Sequence, residues 1–315
     1  MKRYFNLNCL LFFALAALMI SASPRVLAQR SRKPAAAQAS KSIVVRTEPK
    51  AVIWLDEIRR GVTDDEGRLT ITKVSAGRHT LRVRARGFKE AILPIAPARR
   101  GAIDVKLLRT ADEAELLFQQ AEEARESARD EEARKQSAEL YRRALRLRPR
   151  FAAAHLGLAR VLLELNDYNT ALEEINAARA ARPVYPEASA VEGRILRMAA
   201  DTNAAIESFR RAIREARGFQ PEAHTGLALV LEEKGRYEEA VEEFRAAINQ
   251  LSDTEPVLYQ LLGAAYEKLQ KYKEAVAAYE KYLELAPEGT LAPAVRSILD
   301  QLRRQAAEQE GAPSD

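Results

Sequence analysis

Three histidines, His79, His155 and His224, are the first residues to weigh for metal or acid–base chemistry in this 315-residue chain. His155 and His224 fall at the same position of separate sequence repeats, and no carboxylate accompanies both at ligand spacing. That pattern predicts helix-packing histidines rather than a metal site. Paired acids such as Glu238-Glu239 and Glu242-Glu243 have basic neighbours on helical faces and read as solvated surface, not as an acid–base pair. The single cysteine, Cys9, lies in a leader segment expected to be removed, which leaves no thiol nucleophile, disulfide or cysteine metal site. The sequence has no Gly-rich phosphate loop between strand and helix, no Gly-x-Ser-x-Gly elbow and no His-Glu-x-x-His pair. The expectation is a protein with no catalytic residue, no cofactor and no metal.

Arginine offers a second kind of chemistry. Leu81, Val83 and Ala85 alternate with Arg82, Arg84 and Arg86, so a strand here buries one face and turns three guanidiniums the other way. With Arg78 they make a basic strand face with side chains about 7 Å apart, able to hold several phosphates or carboxylates of an anionic envelope polymer or a membrane surface. The alternative is that this face packs on acidic parts of the same chain. The charge split favours either: residues 29–110 carry 19 Lys/Arg against 8 Asp/Glu, whereas residues 111–315 carry 28 against 37. Nucleic acid is not expected, because the basic residues are not interleaved with aromatics.

Two periodicities define the elements that carry these residues. Between residues 42 and 109 the pattern is β-type: short apolar runs at 43–46, 51–55, 69–74, 79–85, 91–95 and 102–108, punctuated by Pro49, Gly61, Gly67, Gly77, Gly87 and Gly101. Six or seven strands in that length predict a small all-β antiparallel sandwich. After Thr110 the period becomes 3.6. Ser137, Ala171, Ala205, Ala240 and Ala275 stand at intervals of 34, 34, 35 and 35 residues. Each is followed four residues later by Tyr141, Ile175, Phe209, Phe244 or Tyr279, and then by Ala144, Ala178, Ala212, Ala247 or Tyr282. Pro149, Pro183 and Pro287 close three of the units. A fixed period of this length with small, bulky and small positions is the signature of a helix-pair array, and such arrays bind other proteins.

These residues resemble tetratricopeptide repeats, which implies a right-handed helical solenoid of about five units over residues 111–287 (112–150, 151–184, 186–219, 221–253 and 255–288). The family's small first-helix position falls at Ala121, Ala159, Gly193, Ala228 and Gly263, its turn glycine at Gly235, and the aromatic after the turn at Tyr168, Tyr237 and Tyr272. About four extra residues near 127–135 predict longer helices or a longer turn in the first repeat. Beyond Pro287, the residues Leu291, Val295, Ile298, Leu299 and Leu302 share one face of a capping helix over 289–306, followed by a tail at 307–315. The resemblance also implies a concave groove lined by first helices, which places Arg160, Arg194, Arg197, Leu229, Glu232, Gln260 and Glu267 there, with Met198 beside them. The three arginines suit a carboxylate or an acidic peptide. Their competing use is i,i+4 pairing, Arg160 with Glu164 and Arg197 with Asp201. The family's carboxylate-clamp asparagines are missing, so recognition of a partner's free terminal carboxylate is not implied.

The β-type stretch resembles the PEGA domain through Glu48-Pro49-Lys50-Ala51, Leu55-Asp56, Gly61-Val62-Thr63, Gly77-Arg78-His79 and Gly87-Phe88. Lys50 stands where that family has its name-giving glycine, Glu57 where a turn glycine is usual, and Asp64 where proline is common. The resemblance implies a small envelope-associated module without catalytic residues. Lys2 and Arg3, the apolar run 9–20 and Val26-Leu27-Ala28 form a cleavable signal peptide over residues 1–28. An Ala/Ser/Gln-rich linker follows over 29–41. The sequence thus predicts an exported, multidomain protein of the periplasm or cell envelope. Its groove is expected to hold a protein or peptide partner, and no small-molecule substrate is expected. The competing function is anionic-polymer or lipid-headgroup binding by the basic sandwich, with the repeats as a spacer or dimerisation element.

Overall fold

The computed structural model describes residues 41–311 apart from 57, 75–78, 97–98, 100 and 252. The signal peptide, the linker through residue 40 and Arg78 of the basic strand face therefore lie outside the described residues. Among the described residues no helix is long and apolar enough to cross a membrane.

Among the described residues seven strands precede the helices: β1 (Lys41–Arg46), β2 (Val52–Leu55), β3 (Ile58–Val62), β4 (Arg68–Val74), β5 (His79–Arg84), β6 (Ala91–Ile95) and β7 (Ala102–Asp104). They form two sheets, one of order β4-β1-β7 and one of order β3-β2-β5-β6. Every pairing is antiparallel except β1 with β7, which run parallel over Val44–Arg46. Alternate residues of both sheets (Ile43, Val45, Ile53, Leu55, Leu81, Val83) meet in one buried core, as the two-residue period of a strand dictates. β3 is the strand that the sequence pattern did not reveal, because Arg59 and Arg60 stand together and break the apolar alternation. Its register on β2 slips between Ile53 and Trp54, which places Gly61 opposite Ile53. Gly67 is required by space: a Cβ there would lie 1.9 Å from the Thr47 carbonyl oxygen, at φ +75°.

The helices pair in sequence: α1 (Glu113–Ser127) with α2 (Glu131–Leu147), α3 (Ala152–Glu164) with α4 (Tyr168–Ala181), α5 (Pro186–Met198) with α6 (Thr202–Ala216), α7 (Pro221–Glu233) with α8 (Tyr237–Leu251), and α9 (Val257–Lys268) with α10 (Tyr272–Leu285). α11 (Ala292–Gly311) packs on α10 and closes the helical-repeat solenoid. Starts are set by local chemistry: Asp112, Asp130, Asp167 and Asp201 each accept a backbone N–H as N-caps, while Pro186 and Pro221 occupy first-turn positions that need no donor. The extra residues of the first repeat lengthen its helices, α2 reaching 17 residues.

The repeat signature has a packing cause. Ser137, Ala171, Ala205, Ala240 and Ala275 are fully buried between helices, and Tyr141, Phe209, Phe244 and Tyr279 fill the space beside them. Phe209 lies between Gly193 and Gly226, where an added Cβ would approach its ring to 2.7 Å and 2.3 Å. Within four repeats the helices are joined through one left-handed residue: Asn166 (φ 61°), Ala200 (φ 62°), Gly235 (φ 70°) or Gln270 (φ 55°). Only one of these turns carries the glycine that marks the turn in the sequence pattern.

Candidate functional site

Two surfaces bear on function, and both involve the first helices. α1 touches α3, α3 touches α5 and α5 touches α7, so these helices form one continuous layer of the array.

At the near end of that layer the sandwich is fixed to the first repeat. Gln119 of α1 accepts from the Gly87 N–H at 3.0 Å and donates to the Phe88 carbonyl at 2.6 Å. Glu122, one turn along, is buried and receives the Arg84 guanidinium at 3.1 Å, Arg125 at 3.3 Å and the Tyr141 hydroxyl. Burial alone would raise its carboxyl pKa. Arg84, Arg125, the Tyr141 hydroxyl and the nearby charge of Arg160 reverse this and hold it well below the usual carboxylate range. Tyr141 shifts the opposite way, pushed far up by burial and then by the adjacent Glu122 charge.

This junction corrects the expectation for the basic strand face. Arg82, Arg84 and Arg86 do point away from the sandwich core, but the first two do not face water. Arg84 is 8% exposed. Both arginines lie over the Trp54 ring, at 4.1 Å and 4.8 Å, and both contact Glu90, at 3.3 Å and 3.0 Å. Arg84 also stacks over Phe118 of α1 at 5.3 Å. Strand alternation fixes which way a side chain points, but not what covers it. Of the described members of that face, Arg86 alone is exposed.

The second surface is a cleft of roughly 410 Å³ between the array and the β2–β3 hairpin. The array side includes Arg194 and Arg197 of α5, Glu222, Thr225 and Leu229 of α7, and Glu255, Val257 and Leu258 around the start of α9. The hairpin contributes Asp56 and Ile58, and Ile58 packs against the apolar core of the later repeats. Of the eight groove residues inferred from sequence, Arg194, Arg197 and Leu229 line this cleft, and Arg160, Met198, Glu232, Gln260 and Glu267 do not. Arg160 sits near Glu122 at the junction, Glu267 accepts from the Tyr279 hydroxyl, and Met198 is exposed. Glu232 is half-buried, and burial followed by repulsion from Glu233 raises its carboxyl pKa. Gln260 is half-buried on α9.

Arg194 and Arg197 are ion-paired, but across repeats rather than at i,i+4. Arg194 meets Glu222 at 3.1 Å and Arg197 meets Glu233 at 2.7 Å, while Glu164 pairs with Arg134 instead of Arg160. The cleft therefore does not present two bare cations. Asp56 and Ile58, which sequence reasoning missed, belong to a turn held by its own contacts: Asp56 (φ 55°) meets His79 Nδ1 at 2.6 Å and accepts the Thr80 N–H at 2.8 Å.

The remaining histidines bridge the two helices of their own repeats. His155 Nδ1 lies 2.6 Å from Glu174, and His224 Nδ1 lies 2.6 Å from Glu243. His155 Nε2 also reaches the Pro149 carbonyl at 2.9 Å, so both ring nitrogens face acceptors. Burial opposes the charged ring, yet the Glu174 hydrogen bond, the Pro149 carbonyl and the Glu174 charge together raise its pKa. Among the described residues there is no group of three or more His, Cys, Asp or Glu side chains placed to hold a metal ion.

Comparison with known proteins assigns the helical part. Three family models described as tetratricopeptide repeat match residues 128–195, 190–256 and 257–288, which together cover just over half of the chain. No curated protein sequence matches. Among solved structures, the chain is similar to PilW, titled a widely conserved type IV pilus biogenesis factor, at 15% identity and TM-score 0.54, covering 62% of this chain and 90% of that one. It is also similar to PilF of Pseudomonas aeruginosa at 18% identity and TM-score 0.52, covering 62% of this chain and 87% of that one. At these identities the likeness is one of fold.

Proposed function

From the premise that this chain belongs to the tetratricopeptide-repeat family, we propose that it is an exported, non-catalytic interaction scaffold of the cell envelope whose concave face holds a partner protein. The observation that carries this reading is the open cleft at α5, α7 and α9, where apolar Leu229 and Leu258 lie beside charged Arg194, Arg197, Glu222 and Glu255. An apolar floor with a charged rim is the make-up of a peptide-docking surface. Export rests on the signal-peptide pattern of residues 1–28. The sandwich is read as a PEGA-like module that fixes the array's near end. That reading is supported by Lys50, which takes a left-handed turn conformation (φ 57°) where the resembled family has glycine.

Affinity capture from an envelope fraction tests the reading. The bait is the full chain, run beside L229D. A protein recovered by the first and lost by the second supports the concave face as its docking surface. Equal recovery by both refutes it, and recovery of nothing by either counts against a scaffold.

A further inference from the structure

The sandwich does more than fix one end of the array. Its β2–β3 hairpin reaches into the face that the scaffold reading assigns to the partner. Ile58 packs on the apolar core of the later repeats, Arg59 approaches Glu126 at the end of α1 to 3.6 Å, and Arg60 lies in the fields of Glu255 and Asp56. In an extended strand Ile58 and Arg60 point one way and Arg59 the other, so three consecutive residues engage two separate parts of the array.

We propose that this hairpin is a resident ligand of the groove, and that the partner it yields to is an extended segment of the same chemistry, an aliphatic residue followed by two basic ones. The proposal rests on the concave-face reading and names the chemistry of what binds there. Charge complementarity argues for a basic rather than an acidic segment. Residues 111–315 carry a net excess of nine acids. At the cleft Arg194 and Arg197 are already matched by Glu222 and Glu233, whereas Glu255 lines the cleft and acts through its charge on the hairpin's Arg60. This basic segment is the opposite of the acidic peptide that the arginines alone suit.

The hairpin's hold is of a kind that can be exchanged. Among the described residues no backbone hydrogen bond joins it to the array. The Arg60 Nε is buried without a hydrogen-bond partner, and burial depresses the Arg60 pKa more than Asp56 and Glu255 restore it. The Arg59–Glu126 contact is half-exposed, a class of ion pair worth about 0–1 kcal/mol. A segment that satisfies Glu255 and fills the Ile58 site without a buried unpaired donor can displace it.

The test uses a fluorescent peptide with the sequence of residues 52–62 and a control peptide in which both arginines are replaced by glutamate. Binding to the full chain is read by anisotropy. Removing the occupant with I58S is expected to tighten peptide binding about tenfold over the native chain, since a half-buried aliphatic contact no longer competes. E255K in the I58S background is expected to lose that gain, and the control peptide to bind neither form. If I58S does not fold by circular dichroism, R60A serves as the opening variant. Equal affinity for the native and opened chains overturns the occlusion, and comparable binding of the control peptide, or no binding of the basic one, overturns the chemistry. Each of these failures leaves the L229D capture result standing, so the two readings fall separately.

Discussion

Replacing Glu122 by glutamine tests whether the buried junction couples sandwich to array. Glu122 accepts from Arg84, Arg125 and Tyr141, and its loss leaves the Arg84 guanidinium buried with Glu90 as its remaining carboxylate at 3.0 Å. Breaking a buried ion pair by removing one partner costs about 3–5 kcal/mol. Because Arg84 keeps Glu90, and the Arg125 side chain retains 21% exposure to water, the low end applies, about 3 kcal/mol. With a urea slope of about 2–3 kcal/mol/M this lowers the unfolding midpoint by about 1 M. Trp54 is the only tryptophan and lies beneath Arg82 and Arg84, so its fluorescence reports this junction while far-UV circular dichroism follows the helices. The fluorescence transition should shift most. R84M combined with E122Q should be less damaging than the two singly by at least about 1 kcal/mol, because a double-mutant cycle isolates their interaction. The sign with pH also follows: a carboxyl held below its usual range contributes stability present above the unfolded value near 4.3 and lost as pH falls toward the folded value. E122Q should flatten that acid limb. A midpoint change below about 0.3 M, or an additive cycle, refutes the reasoning.

Four further outcomes are expected. G226A should destabilise the array by about 1–3 kcal/mol despite alanine's better helix propensity, since its Cβ would lie 2.3 Å from the Phe209 ring; an unchanged thermal midpoint would show that the ring can retreat. Q119A should cost about 1–3 kcal/mol by orphaning the Gly87 N–H and the Phe88 carbonyl, read as an earlier Trp54 transition with little change in helical signal. T63V should cost a similar amount, about 1–3 kcal/mol, because the Thr63 hydroxyl donates to the Glu48 carbonyl at 2.7 Å and accepts the Ala51 N–H at 2.8 Å; calorimetry of the variant checks it. His155 should titrate above 6.5 by NMR, and its contribution to stability should be full below 6.5 and vanish as pH rises through the folded value; H155Q should remove that dependence.

The array was legible because its packing is local and repeated. A small residue every 34 or 35 positions must lie where two helices cross, and Ala171, Ala205, Ala240 and Ala275 are all fully buried. Turn geometry was less legible, since Asn166, Ala200 and Gln270 take the left-handed turn without glycine, at a cost of roughly 1–2 kcal/mol each for an alanine-like residue. β3 escaped notice because its arginines serve another surface, and the apolar pattern that marks a strand reports only burial within its own sheet. The groove was half visible for a related reason. Repeat positions identify which face of a helix points inward, but Arg194 and Arg197 find their acids 28 and 36 residues away on other helices. Spacing within one helix cannot show those partners.

The opposite charges of the two halves are put to use twice, with different physics. At the near end Arg84 and Glu122 are withdrawn from water, where a matched pair is costly to break and adds geometric definition. Along the β2–β3 hairpin, Arg59 reaches Glu126 at the end of α1 in a half-exposed pair that is weak and screened by salt, while the partly buried Arg60 lies in the field of Glu255. Raising ionic strength therefore should leave the Gln119–Glu122 junction closed while loosening the hairpin. That ordering matters for a scaffold. A sandwich anchored only through exposed charges would detach as a body and present an unsupported β module. One anchored through a buried cluster on α1 can release Ile58 and Arg60 from the later repeats, and Arg59 from Glu126, while the rest of the sandwich stays seated. The repeats that carry the cleft, α5 to α9, are then the part of the array whose surface can change hands.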